Sequence, residues 1–229
     1  MSAIAIITAR GGSKRIPKKN IKDFCGKPII AYSIEAALKS EKFDEVMVST
    51  DSEEIAKIAG SYGAKVPFLR SEATSDDYAT TADVIDEVIS EYEKRNMFFD
   101  TFCCIYPTAP FVTAKKIAEA VEMLNNSDAD SVVSVTKFSF PPQRAFVIRE
   151  GKVCLQFPEN KLKRSQDLEP IYHDCGQFYV CRTDKFREWH FLVTDNTLPY
   201  IISQEEVQDI DDISDWLIAE AKFRVLNGE

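Results

Sequence analysis

The strongest constraint on this chain is a rhythm. Short apolar, β-rich runs alternate with amphipathic helical stretches through residues 3–135. Residues 3–8 form a near-continuous apolar run that stops at Arg10-Gly11-Gly12, the pattern of a strand buried on both faces. Helical spacing follows at 29–39, with Ile30, Ile34, Ala37 and Leu38 on one side. The same reading predicts a strand at 46–50, a helix at 52–62 opening just after Asp51, and a short strand at 66–69 beyond Gly63. A helix at 80–94 sets Val84, Val88 and Tyr92 a turn apart; a strand at 101–106 ends at Pro107 and Pro110. A helix at 113–125 and a strand at 130–135 complete the series. Strands alternating with helices imply βαβ units with right-handed crossovers, hence an α/β fold around a mostly parallel sheet. The length of 229 residues suits one such domain.

After Lys137 the rhythm changes. Pro141-Pro142 and a turn at Glu150-Gly151 punctuate two alternating runs, 145–149 and 152–157, which read as a hairpin-bearing insertion. A strand at 176–181 is expected to rejoin the main sheet, with a further strand at 198–202 and a closing helix at 213–226. No internal repeat or low-complexity segment interrupts this order.

Composition removes several classes of function. With 28 Lys+Arg against 37 Asp+Glu, the formal charge is −9, a poor match for nucleic acid or an anionic membrane. The longest uncharged apolar-rich run, 28–34, falls far short of the roughly 20 residues that span a bilayer. The amino terminus carries no basic leader before Arg10, and the six cysteines are scattered without a Cys-x-x-Cys pair; both predict a reducing, cytoplasmic setting. Two histidines leave little for a zinc site.

Against that acidic background, residues 10–19 concentrate five cations: Arg10, Lys14, Arg15, Lys18 and Lys19. The segment follows the first strand directly, so an open α/β sheet would set it at the carboxyl edge, where ligands bind. Gly11 and Gly12 lack Cβ atoms, which lets backbone N–H groups close on an anion. A polyphosphate is the expected ligand. The spacing is neither Gly-x-x-x-x-Gly-Lys-Ser/Thr nor Gly-x-Gly-x-x-Gly, which excludes the Walker loop and argues against a nicotinamide oxidoreductase.

A second constellation is Gln208-Asp209-Ile210-Asp211-Asp212-Ile213-Ser214-Asp215. In an extended segment residues i and i+2 share a side, so Asp209 and Asp211 can offer hard oxygens to one Mg²⁺. Capping and solvation would explain the acids equally well; Asp212, just before the last helix, is expected to be its N-cap. Together, a cationic glycine loop and an aspartate pair are the parts needed to hold a nucleoside triphosphate with its metal.

Ala9-Arg10-Gly11-Gly12-Ser13-Lys14 with Lys19-Asn20 resembles the signature of the cytidylyltransferases that activate nonulosonic (sialic-type) acids. The likeness extends through Ser49-Thr50-Asp51-Ser52, Pro67-Phe68-Leu69-Arg70, Pro107-Thr108-Ala109-Pro110 and Asp209-Ile210-Asp211. Phe140-Pro141-Pro142-Gln143-Arg144, Arg164-Ser165-Gln166-Asp167-Leu168 and Tyr172-His173-Asp174-Cys175-Gly176-Gln177-Phe178-Tyr179 bring it nearest to the pseudaminic-acid branch. The resemblance implies a Rossmann-like nucleotidyltransferase with a mixed, mostly parallel sheet, using CTP, a nonulosonic acid and Mg²⁺ and releasing pyrophosphate. It also implies a homodimer, with residues 138–175 as a β-rich insertion making the dimer contact.

By that resemblance Arg10, Ser13, Lys14 and Lys19 would hold phosphates, with Gly11 and Gly12 in the same loop and Asn20 on the nucleotide. Arg70, Thr80 and Thr81 would surround the cytosine and ribose, and Asp209 and Asp211 would hold the metal. Arg10, Lys19 and Asp211 are the expected catalytic set; Asp211 and a metal-bound hydroxide both remain open as general base. Tyr106, Gln143, Arg144, Arg164, Asp174, Gln177 and Tyr179 are expected around the sugar acid. Tyr106 stands where the sialic branch has Gln and Cys175 where it has Asn, which argues against N-acetylneuraminate.

Other readings stay on the table. Arg144 and Arg164 offer bidentate forks for a sugar carboxylate, yet equally suit surface ion pairs. His173 is read as a sugar contact or a structural residue, His190 as structural, and Cys103 and Cys104 as core residues. Activation of another sugar acid (legionaminic, N-acetylneuraminic or deoxy-octulosonic acid) is an alternative. So is a non-catalytic nucleotide-binding regulator.

Overall fold

The computed structural model describes residues 2–228. In chain order its main elements are β1 (Ala3–Thr8), β2 (Asp23–Phe24), β3 (Lys27–Pro28), α1 (Ile29–Lys39), β4 (Glu45–Ser49), α2 (Glu53–Ser61), α3 (Thr81–Glu93) and β5 (Thr101–Ile105). There follow α4 (Ala114–Asn125), β6 (Ser131–Lys137), β7 (Phe146–Arg149), β8 (Lys152–Leu155), β9 (Tyr172–Arg182), α5 (Thr183–Trp189), β10 (Thr197–Ile201) and α6 (Ile213–Asn227).

Among the described residues, six strands form one sheet in the order β10-β6-β9-β5-β1-β4. β1 runs parallel to both β4 and β5, and β10 parallel to β6; β9 is antiparallel to both its neighbours. The mixed, mostly parallel sheet follows from the βαβ rhythm, and strand 176–181 does return to it as part of β9. Alternation within β1 divides the core: Ala5 and Ile7 pack with Ile30, Ile34, Ile117 and Leu124 on one face. Ile4 and Ile6 pack with Ile85, Val88, Tyr92 and Phe186 on the other.

Local chemistry sets the helix starts. Ser52 and Thr113 accept hydrogen bonds from Ile55 and Lys116 backbone N–H groups, while Thr80 and Asp212 head capping boxes with Asp83 and Asp215. Such caps are typically worth about 1 kcal/mol each. The N-cap expectation for Asp212 is thus borne out.

One predicted element needs correction, and one helix was not predicted. Residues 66–69 do not form a strand; pairing there is limited to an isolated bridge from Met47 to Lys65. Pro67 lacks the N–H that a ladder would need. α5 was not anticipated, being a short helix between two strands. The insertion does contain a hairpin, β7 against β8, standing apart from the main sheet. One face of it is apolar and exposed, with Phe146, Ile148 and Val153, while the charged Arg149 and Lys152 are exposed as well.

β9 carries the irregularity that matters most. Val133 pairs with Tyr179 but Val135 pairs with Asp174, so Ser134 of β6 lies opposite four residues of β9, 175–178. Ser134 Oγ accepts the displaced Phe178 N–H at 3.1 Å, and Gly176 takes up the turn at φ +62°. Bulges of this kind re-aim side chains beside functional sites. Here the bulge sits at the carboxyl end of β5, where Tyr106 N–H donates to Gln177 O at 2.9 Å.

Candidate active site

The site starts from two isoleucines. Ile16, between Arg15 and Pro17, and Ile210, between Asp209 and Asp211, are each only 1% exposed. Both enter one apolar cluster with Phe24, Ile29, Phe111 and Trp216. Burying side chains of this size contributes roughly 2 kcal/mol each, enough to hold together two segments nearly 200 positions apart. Each isoleucine turned inward leaves its charged neighbours facing the surface. The spacing argument for Asp209 and Asp211 therefore has a structural cause, the buried residue between them.

Where the segments meet, Lys19 Nζ donates to Ile210 O at 2.6 Å and Arg15 Nη2 pairs with Asp211 Oδ1 at 2.9 Å. Lys18 at φ 53° sits in the left-handed region just before Lys19. A cavity of about 400 Å³ opens between them, walled by Thr8, Arg10, Ser13, Lys14, Arg15, Lys19, Asn20, Pro107, Thr108 and Asp211. Burial lowers the Lys19 pKa despite the opposing pull of Asp211 and Asp209. Desolvation, then the neighbouring Asp211, raise that of Asp209. Asp211 is thus close enough to act on Asp209, and a cation bound there would oppose that repulsion.

The remaining cations of the loop are also engaged. Arg10 Nη1 pairs with Asp77 Oδ1 at 2.9 Å and donates to Asp76 O at 3.0 Å; Lys14 also pairs with Asp77; Lys18 pairs with Glu54 at 2.8 Å. These are exposed, solvent-screened pairs that hold their geometry only weakly. Asn20 is buried and donates Nδ2 to Arg10 O at 2.9 Å, bracing the loop from within.

Several expected ligands have other work in this structure. The Gly11 N–H donates to Asp51 Oδ1 at 2.7 Å, so it is committed to the end of β4. A Cβ at Gly11 would lie 3.2 Å from Ser52 Cβ, so it is close approach that calls for glycine here; at Gly12 a Cβ would meet open space. Arg70 is buried, with Nε and Nη2 on Ser49 at 3.1 and 2.8 Å, and it does not wall the cavity. Burial lowers its pKa, with Asp51 opposing. Thr80 spends its hydroxyl on the α3 capping box. Thr81 Oγ1 lies 3.3 Å from Tyr106 Oη.

Tyr106, Asp174 and Tyr179 do come together. Tyr179 donates to Asp174 Oδ2, Gly176 N–H donates to Asp174 Oδ1 at 2.8 Å, and the two tyrosine rings meet edge-on at 5.8 Å. Burial raises both tyrosine pKa values. Gln177 instead points its amide nitrogen at Glu206 O, 2.7 Å away.

In the insertion, Gln143 donates to Glu169 O at 2.7 Å and Arg144 to Ser165 Oγ at 3.1 Å. Arg164 makes a two-pronged pair with Asp167 at 2.8 and 3.0 Å, so the ion-pair alternative is the arrangement observed. Arg144 and Gln143 help wall a different cavity of about 490 Å³. The His173 ring lies tilted against Phe138, with centroids 4.5 Å apart, and His190 caps α5 with Nε2 3.2 Å from Asp83. Cys103 and Cys104 are core residues, and burial lifts the Cys104 thiol to a pKa of about 12.

The family model described as "Cytidylyltransferase" matches residues 4–202, a span that takes in the basic loop and the whole sheet. The chain belongs to the cytidylyltransferase family. It is 42% identical over 226 residues to the pseudaminic acid cytidylyltransferase of Campylobacter jejuni, covering 98% of this chain and 97% of that one. To the CMP-N,N'-diacetyllegionaminic acid synthase of Legionella pneumophila it is 36% identical over 236 residues, covering 100% and 99%. A CMP:2-keto-3-deoxy-manno-octonic acid synthetase solved in complex with CTP shares its fold, with a TM-score of 0.72 at 17% identity and full coverage of both chains.

Three features of this cytidylyltransferase escaped the sequence reading. Asp77 carried no motif, and only its contact with Arg10 and Lys14 brings it in. Thr108 lay in a recognised segment but was given no role. Ile16 and Ile210 had a signal in plain view, each an apolar residue set in a run of charge: Ile16 after Lys14-Arg15, Ile210 between Asp209 and Asp211.

Proposed function

We propose that this cytidylyltransferase joins CMP from CTP to the anomeric hydroxyl of pseudaminic acid and releases pyrophosphate. The observation that carries the reading is the meeting of the basic loop and the Asp209–Asp211 segment around one cavity. Near-full-length identity to the Campylobacter jejuni enzyme supports the choice of sugar acid.

The triphosphate would lie along Arg10, Ser13, Lys14 and Lys19, displacing Asp77 from the first and third. Asp209 and Asp211 fit a hard divalent cation: both are carboxylates, burial and the neighbouring Asp211 raise the Asp209 pKa, and His and Cys are absent from the cavity wall. Among the described residues no group of three or more His, Cys, Asp or Glu side chains gathers to hold a metal alone. A pair suits Mg²⁺, which fills its shell with water and phosphate oxygens. Bound there, Mg²⁺ would supply charge neutralisation at the phosphates. Lys19, half-buried and fixed by Ile210 O, is preorganised to stabilise negative charge growing on the α-phosphate and the leaving pyrophosphate. Donors of that kind are worth about 3–4 kcal/mol each. Tyr106, Asp174 and Tyr179 would form one wall for the sugar acid.

Pyrophosphate release measured with CTP and a panel of nonulosonic acids, with and without Mg²⁺, tests the reaction. Turnover with pseudaminic acid that requires the cation is expected; turnover of neuraminic acid alone would overturn the choice of sugar. For assembly, the apolar outer face of β7 and β8 supports a homodimer through the insertion. Ile148→Asp should halve the mass in solution; an unchanged mass would remove the insertion from the contact. The cysteines of the sheet standing as thiols suit a cytoplasmic setting.

A further inference from the structure

The Asp209–Asp211 segment belongs to no helix or strand; beyond Ile210 in the core and the Asp211 N–H donated to Asp215 Oδ2 at 3.0 Å, its approach to the basic loop depends on what precedes it. It follows the short helical turn Gln204–Glu206, and the last residue of that turn is held at two points. Lys116 Nζ, on α4, pairs with Glu206 Oε1 at 2.8 Å and donates to Phe111 O at 2.9 Å. Its side chain is 11% exposed, so the ammonium is largely desolvated and its bonds are correspondingly strong. From the bulge of β9, Gln177 Nε2 donates to Glu206 O at 2.7 Å.

Gln177 is 3% exposed, and its Oε1 is buried with no hydrogen-bond partner among the described residues. A carbonyl oxygen only accepts, so the amide must present its nitrogen to Glu206 O, and the unpaired oxygen follows from that choice. A buried unpaired acceptor is a net cost, tolerated here at a residue whose nitrogen anchors the turn. The same Gln177 receives the Tyr106 N–H through its own carbonyl, so one residue touches both the sugar-acid wall and the root of the aspartate segment.

We propose that Glu206, clamped by Lys116 at its carboxylate and by Gln177 at its carbonyl, is a positioning residue that sets where Asp209 and Asp211 stand and so tunes affinity for the divalent cation. The proposal rests on the metal reading above. Outer contacts that orient metal-binding carboxylates typically contribute 10–100-fold in affinity.

The test measures Mn²⁺ binding to the CTP-loaded protein by EPR, together with CTP binding in the absence of divalent cation and amide hydrogen exchange over residues 204–211. Lys116→Met and Gln177→Met should each weaken Mn²⁺ about tenfold. CTP affinity without metal should stay within about twofold, and exchange in the segment should speed up; Lys116→Arg should recover most of the Mn²⁺ affinity. Folded variants that bind Mn²⁺ like the parent, or that lose CTP affinity in the same proportion, overturn the proposal. A parent protein that binds CTP but no Mn²⁺ overturns the metal reading itself, and this inference with it.

Discussion

The basic loop at residues 10–20 and the insertion at residues 138–175 both carry arginines suited to gripping an anion, yet the structure uses them in opposite ways. In the loop, partners come from far away in sequence: Lys19 reaches Ile210, Arg15 reaches Asp211, and Arg10 and Lys14 reach Asp77. In the insertion Arg164 is satisfied by Asp167 and Arg144 by Ser165. The loop also has an apolar pin, Ile16, in the core, whereas the hairpin turns Phe146, Ile148 and Val153 outward. A cluster of positive charge becomes a site when tertiary packing opposes it with a second segment and leaves a cavity between. Pairing within the insertion spends the same charge, for Arg164 within one turn of chain.

The sharpest way to break the contrast is Asp211→Ala. Turnover should fall by at least about 10³-fold with circular dichroism and Tm preserved; single-turnover CMP transfer measures it. Next comes a matched pair of arginines. Arg10→Ala should raise the KM for CTP roughly tenfold through a lost charge-assisted contact, while Arg164→Ala should leave that KM within about twofold in steady-state assays. Equal effects would erase the distinction between the two regions within a single chain.

Asp77→Asn probes the loop from the other direction. Weakening an exposed acid that competes with phosphate should tighten CTP binding about two- to fivefold by calorimetry. The smallest effect concerns stability. The Asp209 pKa is raised in the folded chain, so the fold keeps that proton longer than the unfolded chain does. Its contribution is best at low pH and is lost as pH rises through the raised value. Asp209→Asn should therefore raise the Tm of the nucleotide-free protein at neutral pH by roughly 1–3 °C, an advantage that vanishes in acid.

Much of this was legible in one dimension. β1 announced itself because a strand buried on both faces must be apolar throughout, and α3 because Val84, Val88 and Tyr92 recur at the helical period. The basic loop was conspicuous because it inverts the sign of its surroundings. Less visible were the fates of single groups. Arg70 looked like a ligand for the nucleotide, but its guanidinium braces Ser49. Gly11 offered an amide for phosphate, but Asp51 takes it. Gln177 looked like a sugar contact, and a four-residue bulge turned it toward Glu206.

Hydrophobic periodicity and residue type act over a few neighbouring positions, so most elements, their alternation and the chemical character of each segment could be read along the chain, though not the absence of a strand at 66–69 or the short α5. Which amide meets which carboxylate, and whether an arginine faces a cavity or its own neighbour, was decided only by the tertiary structure. Hydrogen bonds and ion pairs depend on distances of a few ångströms between groups nearly 200 positions apart, such as Arg15 and Asp211, and those distances exist only once the core has closed around Ile16 and Ile210.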